Sequence, residues 1–221
     1  MTMADTEFLG ATELFDGTAP DEIGSMLGCL GAHEKRFSAG ERIHRMGDHV
    51  DAAGVVLSGR VRIESIDAWG NVSVIGACEA GDMFGEVYAA VPNEPLMVDV
   101  VAAEDAHVLF VSVARVLATC PVACPHHAHV SRNMVRIIAR KNLALSRRIL
   151  HVAPKTLRGK VLAYLSDQSE RAGSRSFDIP FNRQQLADYL GCDRSALSAE
   201  LSRMAAAGLI ATRRSHFELL R

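Results

Sequence analysis

The stretch Asn182–Ile210, NRQQLADYLGCDRSALSAELSRMAAAGLI, decides how the chain is read, because it spells two short helices held at an angle by a glycine turn. Asn182 is a good N-cap, and Gln185, three positions on, completes a capping box in which each side chain satisfies a free backbone N–H of the other. Leu186 and Leu190 lie one turn apart on the inward face. Gly191 then supplies the positive φ that a tight turn between helices needs. Asp193 caps the second helix, Leu197, Leu201 and Met204 make its buried stripe, and Gly208 marks its end. Opposite that stripe lie Ser195, Ser198, Ala199 and Ser202, with Arg194 on the first turn. A helix-turn-helix sets the N-terminal residues of its second helix against base edges in the major groove, and a face of small hydrogen-bonding side chains with one arginine suits that approach. A generic helical hairpin shares the apolar spacing but rarely the paired caps and the short glycine turn.

Further on, Leu209–Ala211 and Phe217–Leu220 read as two strands around the polar turn Thr212-Arg213-Arg214-Ser215, a wing that puts two cations where phosphate would lie. The order of helix, Gly-Cys turn, Asp-Arg-Ser helix start and two-stranded wing resembles the C-terminal domain of the Crp/Fnr family of bacterial transcription regulators. On this reading Arg194, Ser195 and Ser198 meet bases, with Ala199 and Ser202 beside them. Arg203, Arg213 and Arg214 supply phosphate contacts, and Arg183 belongs to the same DNA-facing set. The Fnr branch has Glu at the Ser195 position and Arg at the Ala199 position, so an Fnr-type site is expected to be bound poorly.

Charge is divided along the chain in a way that fits. The formal net charge is only −2, yet residues 1–129 hold 7 Lys and Arg against 19 Asp and Glu, whereas residues 130–221 hold 17 against 7. The acidic half is unsuited to a polyanion and the basic half is suited to one. At 221 residues there is room for two modest domains. No apolar run reaches membrane-spanning length and the N-terminus lacks the basic flank and apolar core of an export signal, so no membrane partner and a cytoplasmic location are expected. The cysteines number 5, an odd count at irregular spacing, which does not resemble an extracellular disulfide framework.

Residues 8–31 place Leu14, Ile23, Leu27 and Leu30 at helical spacing. From Phe37 to Val113 the pattern changes to short β-branched runs, such as Val55–Leu57, Val61–Ile63, Val72–Ile75 and Val98–Val101, punctuated by glycines. That is the pattern of an antiparallel roll or sandwich. A metalloenzyme on such a roll would need clustered ligands, and His33, His44, His49 and His107 are scattered singly. The order FSAGERIHRMGD … VVLSGRVRIESIDAWGNVSVIGACEAGDMFGE resembles the cyclic-nucleotide-binding fold of the same family. In its nucleotide-binding members a Gly-Glu pair holds the ribose and an Arg-Ser pair about ten residues later holds the cyclic phosphate. Gly85-Glu86 stands here, but the Arg-Ser positions fall on Leu96-Met97, which offer neither charge nor donors. Cyclic AMP is therefore not expected as the effector.

The segment ATCPVACPHHAH leaves three readings open. Cys120, Cys124, His126 and His127 carry the right donors for a metal or haem, the two thiols are spaced to form a redox pair, and the same residues serve equally as inert structure. Val130–His151 reads as one long helix, in which Val135, Ile138, Asn142, Leu145 and Ile149 are spaced 3, 4, 3, 4 as in a coiled-coil seam, with Asn142 placed to pair with its twin and set register. In the resembled family this helix is the dimer axis. Pro154 breaks it, and Thr156–Gln168 resumes a helix.

The expected fold class is α+β: an N-terminal antiparallel β-roll of the jelly-roll, cyclic-nucleotide-binding-like type (1–116), a Cys/His-rich lead-in with a long dimerisation helix (117–151), and a C-terminal winged helix-turn-helix (152–221). The expected partners are double-stranded DNA and a second copy. Activation would add RNA polymerase, for which no motif identifies a surface. An enzyme on the roll is disfavoured, since no nucleophile, base and orienting group converge in the sequence.

Overall fold

The glycine-punctuated runs of the N-terminal half fold into two antiparallel four-stranded sheets. Strands β1 (His33–Phe37), β8 (Ala106–Ser112), β3 (Ala52–Ser58) and β6 (Met83–Phe84) form one, in the order β1-β8-β3-β6. Strands β2 (Arg42–His44), β7 (Asp99–Ala102), β4 (Val61–Ile66) and β5 (Val72–Cys78) form the other, in the order β2-β7-β4-β5. This is a computed structural model, in which residues 5–118 and 125–220 are described.

Side-chain alternation explains why β8 reads as an unbroken apolar run. Val108 and Phe110 face a cluster with Phe37, Val56, Val61, Phe84 and Val100, which joins the two sheets. Leu109 and Val111 face the opposite way, into a second cluster with Ala53, Val55 and the helices. A strand buried on both faces has no polar side to show. The helices are α1 (Thr6–Gly10), α2 (Pro20–Cys29), α3 (Glu86–Ala90), α4 (Val113–Leu117) and the long α5 (Pro125–Val152). Val130, Met134 and Ile137 of α5 are buried in that second cluster, and the Asn133 amide donates to the carbonyls of Asp16 at 2.8 Å and Leu14 at 3.2 Å.

Helix α5 begins at Pro125, five residues before the start read from sequence. Proline interrupts a helix interior but fits its first turn, where the missing N–H has no partner to lose. Within α5 the chain divides into two compact units, residues up to Ala139 and residues from Arg140 onward.

In the second unit Thr156 Oγ1 accepts from Gly159 N at 3.1 Å and starts α6 (Leu157–Ala172), which Gly173 ends at φ 60°, four residues beyond the expected Gln168. There follow β9 (Ser176–Asp178), α7 (Arg183–Leu190), α8 (Arg194–Ala206), β10 (Ile210–Arg213) and β11 (His216–Leu219), with the sheet ordered β10-β11-β9. Tyr164, Leu165, Phe177, Leu186, Leu190, Leu197, Leu201, Met204 and Phe217 close one core.

Candidate nucleic-acid interface

The caps read from sequence are formed. Asn182 Oδ1 accepts from Gln185 N at 3.0 Å while Gln185 Oε1 accepts from Asn182 N at 2.8 Å, and Gly191 turns the chain at φ 63°. Asp193 Oδ1 accepts from the Ser195 hydroxyl at 2.5 Å, Ser195 N at 2.7 Å and Ala196 N at 3.1 Å. These bonds, the Ser195 hydroxyl first, hold its carboxyl below the usual carboxylate range.

The wing turn is tighter than expected. Arg213 is the last residue of β10, paired with His216, so that only Arg214 and Ser215 form the turn. A two-residue hairpin turn needs left-handed backbone, and Arg214 adopts it at φ 56° without being glycine. Arg183 from α7, Arg194 from α8 and Arg214 from the wing line one open groove of about 710 Å³, whose lining residues include no carboxylate.

The remaining candidates divide by how far their groups are already engaged. Arg194, Ser195, Ser198, Ala199 and Ser202 are exposed, although the hydroxyls of the three serines donate within the chain. Arg183 donates to Thr212 Oγ1 at 2.8 Å and lies 4.9 Å over the Phe217 ring, so it ties α7 to the wing as well as lining the groove, and burial lowers its pKa. Arg203 donates to Glu200 Oε2 at 2.5 Å. Glu200 also accepts from Arg158 Nε at 2.7 Å, and these two arginines, Arg158 first, hold the buried carboxyl below its usual range. Sequence reading missed the Arg158–Glu200 pair because its members are 42 residues apart with no local signal. It also missed His151, whose Nδ1 lies 2.8 Å from the Tyr189 hydroxyl, joining the end of α5 to α7.

One cross-strand group imitates a hydrolase triad. His216 Nε2 lies 3.1 Å from Ser176 Oγ and its Nδ1 lies 3.3 Å from Asp178 Oδ1. The Asp178 side chain is 73 % exposed, so the group sits in water rather than in the dry, preorganised site that acyl transfer needs.

In the β-roll the four effector candidates differ in their exposure. Gly85 caps α3 at φ 76°, Glu86 is buried, Leu96 is buried with its N–H on Asp48 O and its carbonyl accepting from Gly47 N, and Met97 faces outward. The Phe84 ring lies so close over Gly54 that an added Cβ would stand 2.3 Å from it, and Phe37 and Phe110 complete an aromatic filling between the sheets. A cleft of about 350 Å³ is lined instead by His33, Lys35, His44, His49 and Phe110, and by none of those four.

Cys120, Cys124 and the side chain of His126 lie outside the described residues. His127 is buried, with Nε2 2.7 Å from Arg115 O and 3.1 Å from Val116 O. Carbonyls only accept, so Nε2 carries the proton, and the ring clamps α5 to α4. Among the described residues no group of three or more His, Cys, Asp and Glu is placed to hold a metal ion.

On α5, Val135, Leu145 and Ile149 are about 60 % exposed, and Leu143 and Leu150, outside the seam read from sequence, are exposed beside them. Asn142 is also exposed, accepting from Ser146 at 3.4 Å. Ile138 instead packs partly on its own chain's core. No helix among the described residues is long and apolar enough to cross a membrane.

Comparison with known proteins agrees with this geometry. Residues 34–120 match the model of the cyclic nucleotide-binding domain and residues 159–221 that of the Crp-like helix-turn-helix domain. The nitrogen fixation regulation protein FixK of Rhizobium meliloti (strain 1021) is 24 % identical over 178 residues, 80 % of this chain and 77 % of its own length. Among solved structures, the catabolite activator protein of Thermus thermophilus matches with a TM-score of 0.51 at 23 % identity, over 94 % of this chain and 93 % of its own. The c-di-GMP responsive global regulator CLP of Xanthomonas campestris matches with 0.53 at 20 %, over 88 % and 96 %. At these identities the two structures show the shared fold.

Proposed function

Because the chain belongs to the Crp/Fnr family of transcription regulators, we propose that it binds a palindromic DNA site as a homodimer and does not answer to cyclic AMP. The convergence of Arg183, Arg194 and Arg214 on one groove free of carboxylate carries the DNA reading. Phosphate contacts from such a groove fix the helix on the duplex while α8 meets the bases. The exposed apolar residues of α5 support the dimer, since their own chain leaves Val135, Leu145 and Ile149 in water. Buried Leu96, outward Met97 and the aromatic filling of the roll support the absence of a cyclic-AMP response.

Selection on random duplex DNA with the whole protein tests the proposal. We expect a motif of two half-sites centred about one helical turn apart, unchanged by cyclic AMP. Leu145→Asp with Ile149→Asp should give monomers in sedimentation and lower affinity for the palindrome by about 100-fold or more, because the second half-site no longer binds at high effective concentration. A motif without symmetry, or Asp variants that sediment as dimers, would refute the dimer part.

A further inference from the structure

We infer that the serines of α8 read bases as hydrogen-bond acceptors only, so that the half-site presents exocyclic amino groups, cytosine N4 or adenine N6, to Ser195 and Ser198. The inference rests on the reading that α8 enters the major groove. The Ser198 hydroxyl donates to Arg194 O at 2.9 Å, the Ser202 hydroxyl to Ser198 O at 3.0 Å, and the Ser195 hydroxyl to Asp193 Oδ1 at 2.5 Å.

The direction of each bond is fixed by its partner. A carbonyl oxygen has no proton to give, and neither has an ionised carboxylate, so the shared proton belongs to serine in all three. The Ser195 bond is itself the largest of the effects that keep Asp193 ionised. Each serine has one donor, already engaged along the helix, and its outward lone pairs remain. In the major groove those lone pairs match the amino groups of cytosine and adenine, whereas guanine N7 and O6, thymine O4 and adenine N7 are acceptors that meet them without a proton between. Serine usually serves DNA equally as donor to phosphate and as donor or acceptor to bases. Here a donor role would first have to break an intrahelical bond.

Arg194 is the complement, a side chain with donors and no acceptor on the same exposed turn. The N-terminal part of α8 thus offers donors at one point, suited to guanine, and acceptors beside it. Ala199, exposed between Ser198 and Ser202, adds only a methyl group, which suits a thymine methyl. Ser195 and Ser198 lie in the first two turns, the part of a recognition helix nearest the base edges, whereas Ser202 is a turn further out.

The test compares sites selected by the whole protein and by its Ser198→Ala variant. One base pair's preference should relax in the variant, and the cytosine or adenine of that pair carries the amino group that Ser198 meets. Removing that amino group from the parent's site, with purine in place of adenine or 2-pyrimidinone in place of cytosine, should weaken parent binding roughly five-fold, the size of one hydrogen bond, and leave Ser198→Ala binding unchanged. If no position relaxes, or if deleting the amino group at the relaxed base pair leaves parent affinity intact, the acceptor assignment is overturned. Should the parent enrich no motif at all, the DNA-reading role of α8 fails instead, an outcome distinct from those two.

Discussion

The interior of the β-roll and the groove at α8 are both places where a ligand would sit in this architecture, and they are built in opposite ways. Between the sheets Phe110 packs against Phe37 and Phe84, and Leu96, proposed above to stand where a phosphate clamp would need charge, is buried. In the groove three guanidiniums converge without a carboxylate among the lining residues, and one of them sits on left-handed backbone. In the first region, apart from the cleft beside Phe37 and Phe110, the packed side chains contribute to stability. The second presents cations that no carboxylate of its lining neutralises, one of them on left-handed backbone, and such a surface suits a polyanion.

The strongest way to break that contrast is to empty the roll. Phe84→Ala should destabilise the first unit by about 3–5 kcal/mol, the usual cost of removing a fully buried ring from a packed core. Amide exchange in β3 and β8 during urea unfolding of the whole protein would measure it. A loss below about 1 kcal/mol, or nucleotide affinity gained by the variant, would mean that the aromatic rings only occupy a pocket rather than form a core.

A smaller effect sharpens the groove side. Arg214→Gly removes a side chain from φ 56° and should stabilise the second unit by about 1 kcal/mol, since left-handed backbone costs glycine little. The same change should weaken binding to all duplexes alike and lower the salt slope by about one unit, the signature of one lost phosphate contact. Stability and affinity would then move in opposite directions. If both fall, Arg214 is part of the folded wing's packing rather than a strained contact held out for DNA.

Legibility followed the range of the physics. The caps at Asn182 and Asp193, the turn at Gly191 and the glycine-bounded strands are local, and each is set by a few neighbouring residues. Which apolar residues of α5 stay exposed was only partly legible, because a 3,4 spacing says which residues share a face but not whether the chain's own core already covers one of them, as it partly does Ile138. Leu143 and Leu150 fell outside the spacing and are nonetheless bare. The early start of α5 was hidden by Pro125, which punctuates sequence and yet begins helices. Arg158–Glu200 and His151–Tyr189 were illegible, since nothing in a one-dimensional pattern brings together residues 42 and 38 apart. Arg183 was legible as a cation in the right region but not as the strut that Thr212 and Phe217 make of it.

His151 shows that the platform beneath the groove, unlike the roll's interior, is partly polar, and this gives the smallest of the effects expected here. Its ring is buried on the Tyr189 hydroxyl, meets the Tyr164 ring edge-on at 5.4 Å, and has Nε2 3.6 Å from Asp167, while the Tyr164 hydroxyl is buried without a hydrogen-bond partner in the protein. Burial lowers the His151 pKa from 6.5, Asp167 opposes that shift, and Arg147 and Arg171 add to it. The unfolded chain therefore takes up a proton at a pH where the folded chain still refuses it. Stability from this group is complete above pH 6.5 and declines as pH falls from there toward the lowered folded value. The slope from one proton cannot exceed about 1.4 kcal/mol per pH unit. His151→Gln keeps an amide able to bond Tyr189 but does not titrate, so its unfolding midpoint in urea should vary less than the parent's as pH falls below 6.5, with Tyr189→Phe retaining the parent's slope. Equal slopes in parent and His151→Gln would show that protonation is accommodated by Asp167 without loss, and that this node is as indifferent to solution conditions as the aromatic core of the roll.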